Sequence, residues 1–418
     1  MMGLGRISGI AILFAFLVAA VVEPQCGREP KLGDPVAGLN AEQRDEFDRG
    51  RVVFERVFTP ETGLGPLFNA NSCAECHEDP IVGGTGDEVE IHAAISSTLA
   101  ALGSPDPALR SAAESGDSAP REDSSPPAAS CDLLIDRGGP VFQTEVTQAL
   151  HDALGIDEEP VPQEATQAQR TIPDVFGFGL LDAIADSTLL ALEDPDDANG
   201  DGISGRANRF IDGRVGRFGR KAFVPNLAEF NDGAFQIEQG ITTSGTPNEG
   251  TVGGQPMPPG VDPLPEPELS DEDVRLANQF VRFLAPPLPV TKGREVRLGE
   301  KIFADIGCTA CHVPALRTGY SDVEALSNRM VRAYTDMLLH DMGPELADIC
   351  FGLASPSEFR TEPLMGLSLS EVFLHDGRAV TIEAAIELHG GEGSAARDAF
   401  IALPEHKRKA LLAFLRGL

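Results

Sequence analysis

The sequence contains no tryptophan and only two tyrosines, Tyr320 and Tyr334, in 418 residues. Basic residues are also scarce: 33 against 65 acidic ones leave a formal charge of −32. Like charges repel and no basic tract interrupts the acidity, so nucleic acid and anionic membranes are excluded as partners. A soluble cationic partner suits this surface better. Beyond residue 22 no apolar run is long enough to cross a bilayer. What is present is ordinary globular material: 42% apolar residues, enough for the cores of two or three domains.

The first residues carry Arg6, an apolar run from Ile10 to Val22, and small residues at Val18-Ala19-Ala20. This pattern reads as a secretory signal over residues 1–22, so the chain is expected in the periplasm or otherwise outside the cytoplasm. Cys26 follows, and a lipid anchor there is the less favoured reading. Glu23 and Gln25 stand where a lipoprotein signal wants an aliphatic and a small residue.

Seven cysteines in an exported chain would ordinarily suggest disulfides. Four of them instead lie in Cys73-Ala-Glu-Cys76-His77 and Cys308-Thr-Ala-Cys311-His312. Two thiols at this spacing form thioethers with the porphyrin vinyl groups, and the adjacent histidine binds the iron. The pattern therefore predicts two covalently bound haems c, with His77 and His312 as iron ligands. A zinc site or a dithiol pair would not require histidine directly after the second cysteine in both motifs. Of the remaining cysteines, Cys131 with Cys350 is the preferred bridge, because Cys26 lies close to the signal.

Each motif follows a similar stretch, from Gly50 to Phe58 and from Leu298 to Gly307, with apolar residues three and four apart as in amphipathic helices. A last helix begins at Pro404 and carries its apolar face to Leu415. Residues 97–130 turn to Ser, Pro, Asp and Ala and read as a surface insertion. The predicted fold is mainly α: two cytochrome c-like haem domains, over 35–285 and 290–418, with long loops and that insertion. Asp197-Ala-Asn199-Gly-Asp201-Gly202-Ile203 alternates oxygen side chains as in half of a calcium loop, so Ca²⁺ on Asp197, Asn199, Asp201 and the Ile203 carbonyl is a second metal expectation. No closing glutamate follows.

Several segments together resemble the bacterial di-haem cytochrome c peroxidase and MauG superfamily, in its di-haem oxidoreductase branch, also called thiol oxidoreductase. They are Gly65-Pro66-Leu67-Phe68-Asn69-Ala70, Phe176 to Ile184, Gly200 to Asn208, Gly216-Arg217-Phe218-Gly219, Leu338 to Gly343, and Phe373 to Arg378. The resemblance covers most of the mature chain and implies a peroxidase-like enzyme in which the second haem passes electrons to a reactive first haem. It implies His389 as the sixth ligand opposite His312. For the first haem it points to His92, after the paired glycines Gly83-Gly84, with His340 or Met342 as competitors. Asp182 is the expected acid/base for peroxide, and Arg217, Arg220 and Lys221 are expected at haem propionates. Relatives that oxidise large substrates by hole hopping use tryptophan, which this chain lacks, so such remote oxidation is not expected; Tyr334 could at most be a single relay, and a buried packing role is expected of it.

Three readings follow. The first is the peroxidase-like enzyme, fed by a small soluble redox protein such as a cationic cytochrome and acting on a small oxidant such as peroxide. The second is a non-enzymatic di-haem electron carrier, and the third a thiol oxidoreductase using Cys131 or Cys350.

Overall fold

A computed structural model describes residues 29–96, 131–290 and 292–418. The expected signal, Cys26 and the insertion at 97–130 lie outside the described residues.

Helix α1 (Ala41–Phe54) starts where the Asn40 side chain accepts from the Gln43 amide and Gln43 returns the bond. This reciprocal cap satisfies amides that the first turn leaves unpaired. Phe47, Gly50, Val53 and Phe54 fall on one face and are buried. Helix α2 (Leu227–Gln239) is capped by Asn226, and α3 (Asp271–Phe283) by Ser270 with three acids in its first turn, where the helix dipole favours them. Helix α4 (Arg294–Asp305) leads into the second motif. Helix α5 (Ile382–Glu387), α6 (Ser394–Ile401) and α7 (Glu405–Leu415) complete the chain.

The two haem-motif helices are packed by one device used twice. Gly50 of α1 meets α3 so closely that a Cβ would stand 2.1 Å from the Leu276 carbonyl oxygen. Gly299 of α4 meets α7 the same way, 2.0 Å from that of Ala410. Four residues on, Phe54 packs on Phe280 at 4.9 Å between ring centroids, and Phe303 on Phe414 at 5.5 Å. Phe54 then reaches His77 at 6.0 Å and Phe303 reaches His312 at 6.1 Å. The sequence repeat is thus a repeat in space, with glycine set where backbones touch.

The mainly helical expectation is too coarse. Strand β1 (Val89–Ser96) pairs antiparallel with β2 (Cys131–Asp132), β3 (Val141–Phe142) and β4 (Thr166–Thr171). Its register sets Glu90 against Arg170 and His92 against Ala168. A smaller ladder joins β5 (Leu339–Asp341) to β6 (Glu358–Arg360), with His340 opposite Phe359. The expected bridge between Cys131 and Cys350 is formed and ties β2 to the loop before β6.

The largest core crosses the expected boundary at 285–290. Leu316, Val323, Leu326, Val331 and Leu338 pack with Phe47, Phe54, Phe176 and Phe280. A second core gathers Ile302, Phe303, Tyr334 and the buried face of α7.

Candidate functional site

At the second motif, Gly307 turns the chain with φ +94° and Cys308–Ala310 forms one short helical turn. The His312 Nδ1 donates to the Tyr334 carbonyl oxygen at 2.9 Å, which leaves Nε2 with its lone pair free. His389, just past α5, donates its own Nδ1 to the Ala385 carbonyl oxygen at 2.8 Å. Burial pushes His312 down to about 4 and lowers His389, so both rings are neutral and suited to bind a metal. Both line one cavity of about 660 Å³, together with Cys308, Cys311 and the apolar side chains of Phe303, Ile386 and Leu411. A slot with two neutral imidazoles and two cysteines fits a covalently held haem.

The first motif repeats half of this. Ser72 caps the turn Cys73–Cys76, and the His77 Nδ1 donates to the Gly84 carbonyl oxygen at 3.1 Å. Gly84 has no room for a side chain, since a Cβ would lie 1.8 Å from the Asp79 carbonyl oxygen. The paired glycines therefore let the loop fold back onto the histidine. Burial pushes the Cys73 and Cys308 thiols up to about 12, so with nothing bound neither is the exposed, lowered thiolate of a reactive dithiol.

Beside the first motif stand two carboxylates that sequence reasoning missed, Glu90 and Glu238. Burial, reinforced by the Glu90 charge, raises Glu238 well above the usual range, and Asn69 donates to its Oε2 at 2.8 Å. Burial also opposes the charge on Glu90, but the His92 hydrogen bond at 2.7 Å, the His92 charge and Arg170 outweigh it and hold Glu90 below its ordinary value. The Glu90 charge is felt at His77, and both carboxylates are felt at Cys76. The two environments push these acids apart, Glu238 up and Glu90 down. The available signal was Glu90 and His92 at alternate positions of a strand, on one face.

The other expected residues fall as follows. His92 is on a buried strand rather than a loop, and its Nε2 is taken by Glu90. His340 is corrected as a candidate ligand of the first haem: it lies beside the second motif, its Nδ1 3.6 Å from Cys311 Sγ. Its Nε2 meets Asp336 and its Nδ1 meets Glu392, each at 2.8 Å. Burial works against the charge, yet Asp336, Cys311 and Glu392 raise this ring to about 12, so both nitrogens are protonated and neither has a lone pair for iron. Met342 likewise lines the second cavity. Asp182 accepts from the Leu227 amide at 2.9 Å and so steadies the start of α2.

Of the basic trio, only Arg220 reaches the cavity. Arg217 is held by Asp186 and the Ile184 and Pro225 carbonyl oxygens. Lys221 is held by Asp348 and three backbone carbonyl oxygens. In the expected calcium loop, Asp197 accepts from Gly202, Asn199 from Asp201, and Asp201 from Ile203, so these oxygens brace the loop itself. No helix among the described residues is long and apolar enough to cross a membrane.

No curated protein matches the chain. Among solved structures, hydrazine synthase from Kuenenia stuttgartiensis is 12% identical at a TM-score of 0.40, covering 98% of this chain and 100% of that one. A MauG-like protein associated with microbial copper homeostasis is 17% identical at a TM-score of 0.30, covering 56% of this chain and 89% of that one. Similarity at this level carries no functional argument. Residues 161–418 match the family described as "Di-haem oxidoreductase, putative peroxidase". That span is more than half of the sequence, and the chain belongs to the di-haem oxidoreductase family.

Proposed function

We propose that this protein is an exported di-haem c oxidoreductase of peroxidase type, in which a small oxidant such as peroxide is reduced at the first haem and the second haem supplies the electrons. The observation that supports this most is the asymmetry of the two motifs. His312 and His389 line one cavity, whereas the first motif is accompanied by the carboxylates Glu90, felt at His77 and Cys76, and Glu238, felt at Cys76.

A haem supplies an iron that exchanges one electron, and it binds a small oxidant only where one side is open. Cys73, Cys76 and His77 would hold the first, and Cys308, Cys311, His312 and His389 the second. The Tyr334, Gly84 and Ala385 carbonyl oxygens fix the three imidazoles in the tautomer that offers Nε2. Near the first site, Glu90, held below its ordinary value, would serve as proton acceptor, and Glu238, raised well above its own, as proton donor. Net charge favours a cationic cytochrome as donor over long range. A thiol oxidoreductase would use Cys131 or Cys350, and these two are joined to each other in a disulfide.

Low-temperature EPR of the oxidised and half-reduced holoprotein tests the reading. One high-spin and one low-spin iron, with the high-spin signal shifting on cyanide, is the expected result. Two low-spin irons inert to cyanide and peroxide in both states would leave the electron-carrier reading in its place.

A further inference from the structure

Tyr334 joins the inner end of the second site to the protein surface within a single residue. Its backbone has φ +52°, in the left-handed region that bulky residues rarely occupy. That conformation carries the Tyr334 carbonyl that accepts the His312 Nδ1 at 2.9 Å. Strain of this kind persists where the surroundings impose it, and it collects at functional sites.

The ring runs outward from there. It is 1% exposed and wedged edge-on between Phe303, at 6.0 Å, and Phe414, at 5.7 Å. Its phenol emerges at a surface ion pair: Arg332 Nη2 donates to the phenol oxygen at 2.5 Å, and the phenol lies 3.3 Å from Glu300 Oε1. Arg332 and Glu300 are themselves 2.9 Å apart, with side chains 46% and 47% exposed. Around them the paired strands Leu316–Arg317 and Met330–Val331 set Arg317 opposite Met330, and Met330 is 60% exposed. Packing alone would explain a buried ring in this core. It does not require a hydroxyl set directly beneath a half-exposed ion pair while the same residue's carbonyl accepts from His312.

We propose that Tyr334 is the electron-input bridge of the second site, with the Arg332–Glu300 pair as its outer terminus. A reduced one-electron donor protein seated over that pair would give up one electron, which tunnels through the phenol, ring and backbone of Tyr334 to His312. The donor is oxidised by one electron and the second iron is reduced from ferric to ferrous, with no proton transferred. This rests on the di-haem reading above, and it assigns the point of contact that the reading leaves open. Tyr334 is a positioning and conducting residue and touches no substrate.

The test injects electrons from a fixed point, so that the natural donor need not be known. A ruthenium polypyridyl photoreductant is attached to the holoprotein at Met330→Cys, and reduction of the second haem after a laser flash is followed by its visible band. Tyr334→Phe keeps the carbonyl, the ring and the packing and removes only the phenol link, so injection should slow about tenfold. Tyr334→Leu should slow it further. Dithionite, a small reductant that needs no bridge, should reduce all variants at the wild-type rate and leave the second-haem spectrum unchanged. An unaltered flash rate in Tyr334→Phe overturns the proposal, and so does an equal slowing with dithionite, which would mark a structural role. Peroxide turnover of the unlabelled wild type is measured separately, so loss of the peroxidase reading and loss of the bridge are distinguishable.

Discussion

Single residues carry the clearest division between what sequence does and does not disclose. Cys73, Cys76, His77, Cys308, Cys311 and His312 stand out in the sequence because the spacing that thioether attachment would need is entirely local. The carbonyls that orient the imidazoles do not, since Tyr334 reaches His312 and Gly84 reaches His77 only once loops have folded back. The same holds for Glu238, which comes from α2 to meet a strand residue distant in sequence. Glu90→Gln should therefore lower peroxide turnover by about a hundredfold, within the range for removing a general base, while both haems stay bound. Unchanged turnover in stopped-flow assays would assign the proton step elsewhere.

Glu159 offers a residue-scale test that is independent of the haems. It is 3% exposed, its Oε1 has no hydrogen-bond partner, and burial, only partly offset by the Gln143 amide, pushes it from 4.5 up to about 7. Below pH 4.5 the carboxyl is protonated in folded and unfolded chains alike and costs nothing. Between 4.5 and about 7 the unfolded chain releases a proton that the folded one keeps, so stability falls as pH rises. Above about 7 the cost levels off, on the order of 3 kcal/mol at most. Glu159→Gln should raise Tm at pH 8 and leave it nearly unchanged at pH 4. An equal shift at both pH values would contradict the assignment.

At the scale of elements, the helices were legible and the sheet was not. Apolar residues three and four apart located α4 and only the last turn of α1, which runs Ala41–Phe54 where Gly50–Phe58 was expected, because each helix presents one face to a core and the other to water. Strand β1 has no such contrast: Ala93 and Ala94 are adjacent and both buried, so the period of two that would announce a strand is blurred. The helix crossings, by contrast, have a sequence correlate in Gly50 and Gly299. Gly299→Ala places a methyl against the Ala410 carbonyl and the Phe414 Cβ, at 2.0 and 2.6 Å before any relaxation. Overpacking of this kind costs about 1–3 kcal/mol. Because Phe303 on the same helix touches both Phe414 and His312, the strain should also reach the second haem. Expected are a lower Tm and a shifted second-haem spectrum, with the first-haem spectrum unaffected. A variant with wild-type Tm would show that α4 and α7 can part without cost.

For the whole molecule, the internal repeat invites division into two independent haem domains, and the packing argues against it. Two motifs with two leading helices were legible as a repeat, but nothing local marks the stretch from Leu316 to Leu338 as belonging to the other half. Its side chains Leu316, Val323, Leu326, Val331, Met337 and Leu338 are each 5% exposed or less and sit in the core built on Phe54, Phe176 and Phe280. Burying each contributes about 1.5–3 kcal/mol, so the six together contribute on the order of 10 kcal/mol. That is comparable with the entire stability of an ordinary domain, about 5–15 kcal/mol. Residues 290–418 produced alone should therefore fail to fold cooperatively, even though they contain all four residues proposed to hold the second haem, Cys308, Cys311, His312 and His389. Calorimetry and gel filtration of the fragment decide the matter. Aggregation, or a broad transition without a heat-absorption peak, is the expected result, whereas a monodisperse fragment with a sharp transition and a bis-histidine spectrum would mean that the second unit stands alone and the shared core is only a docking face.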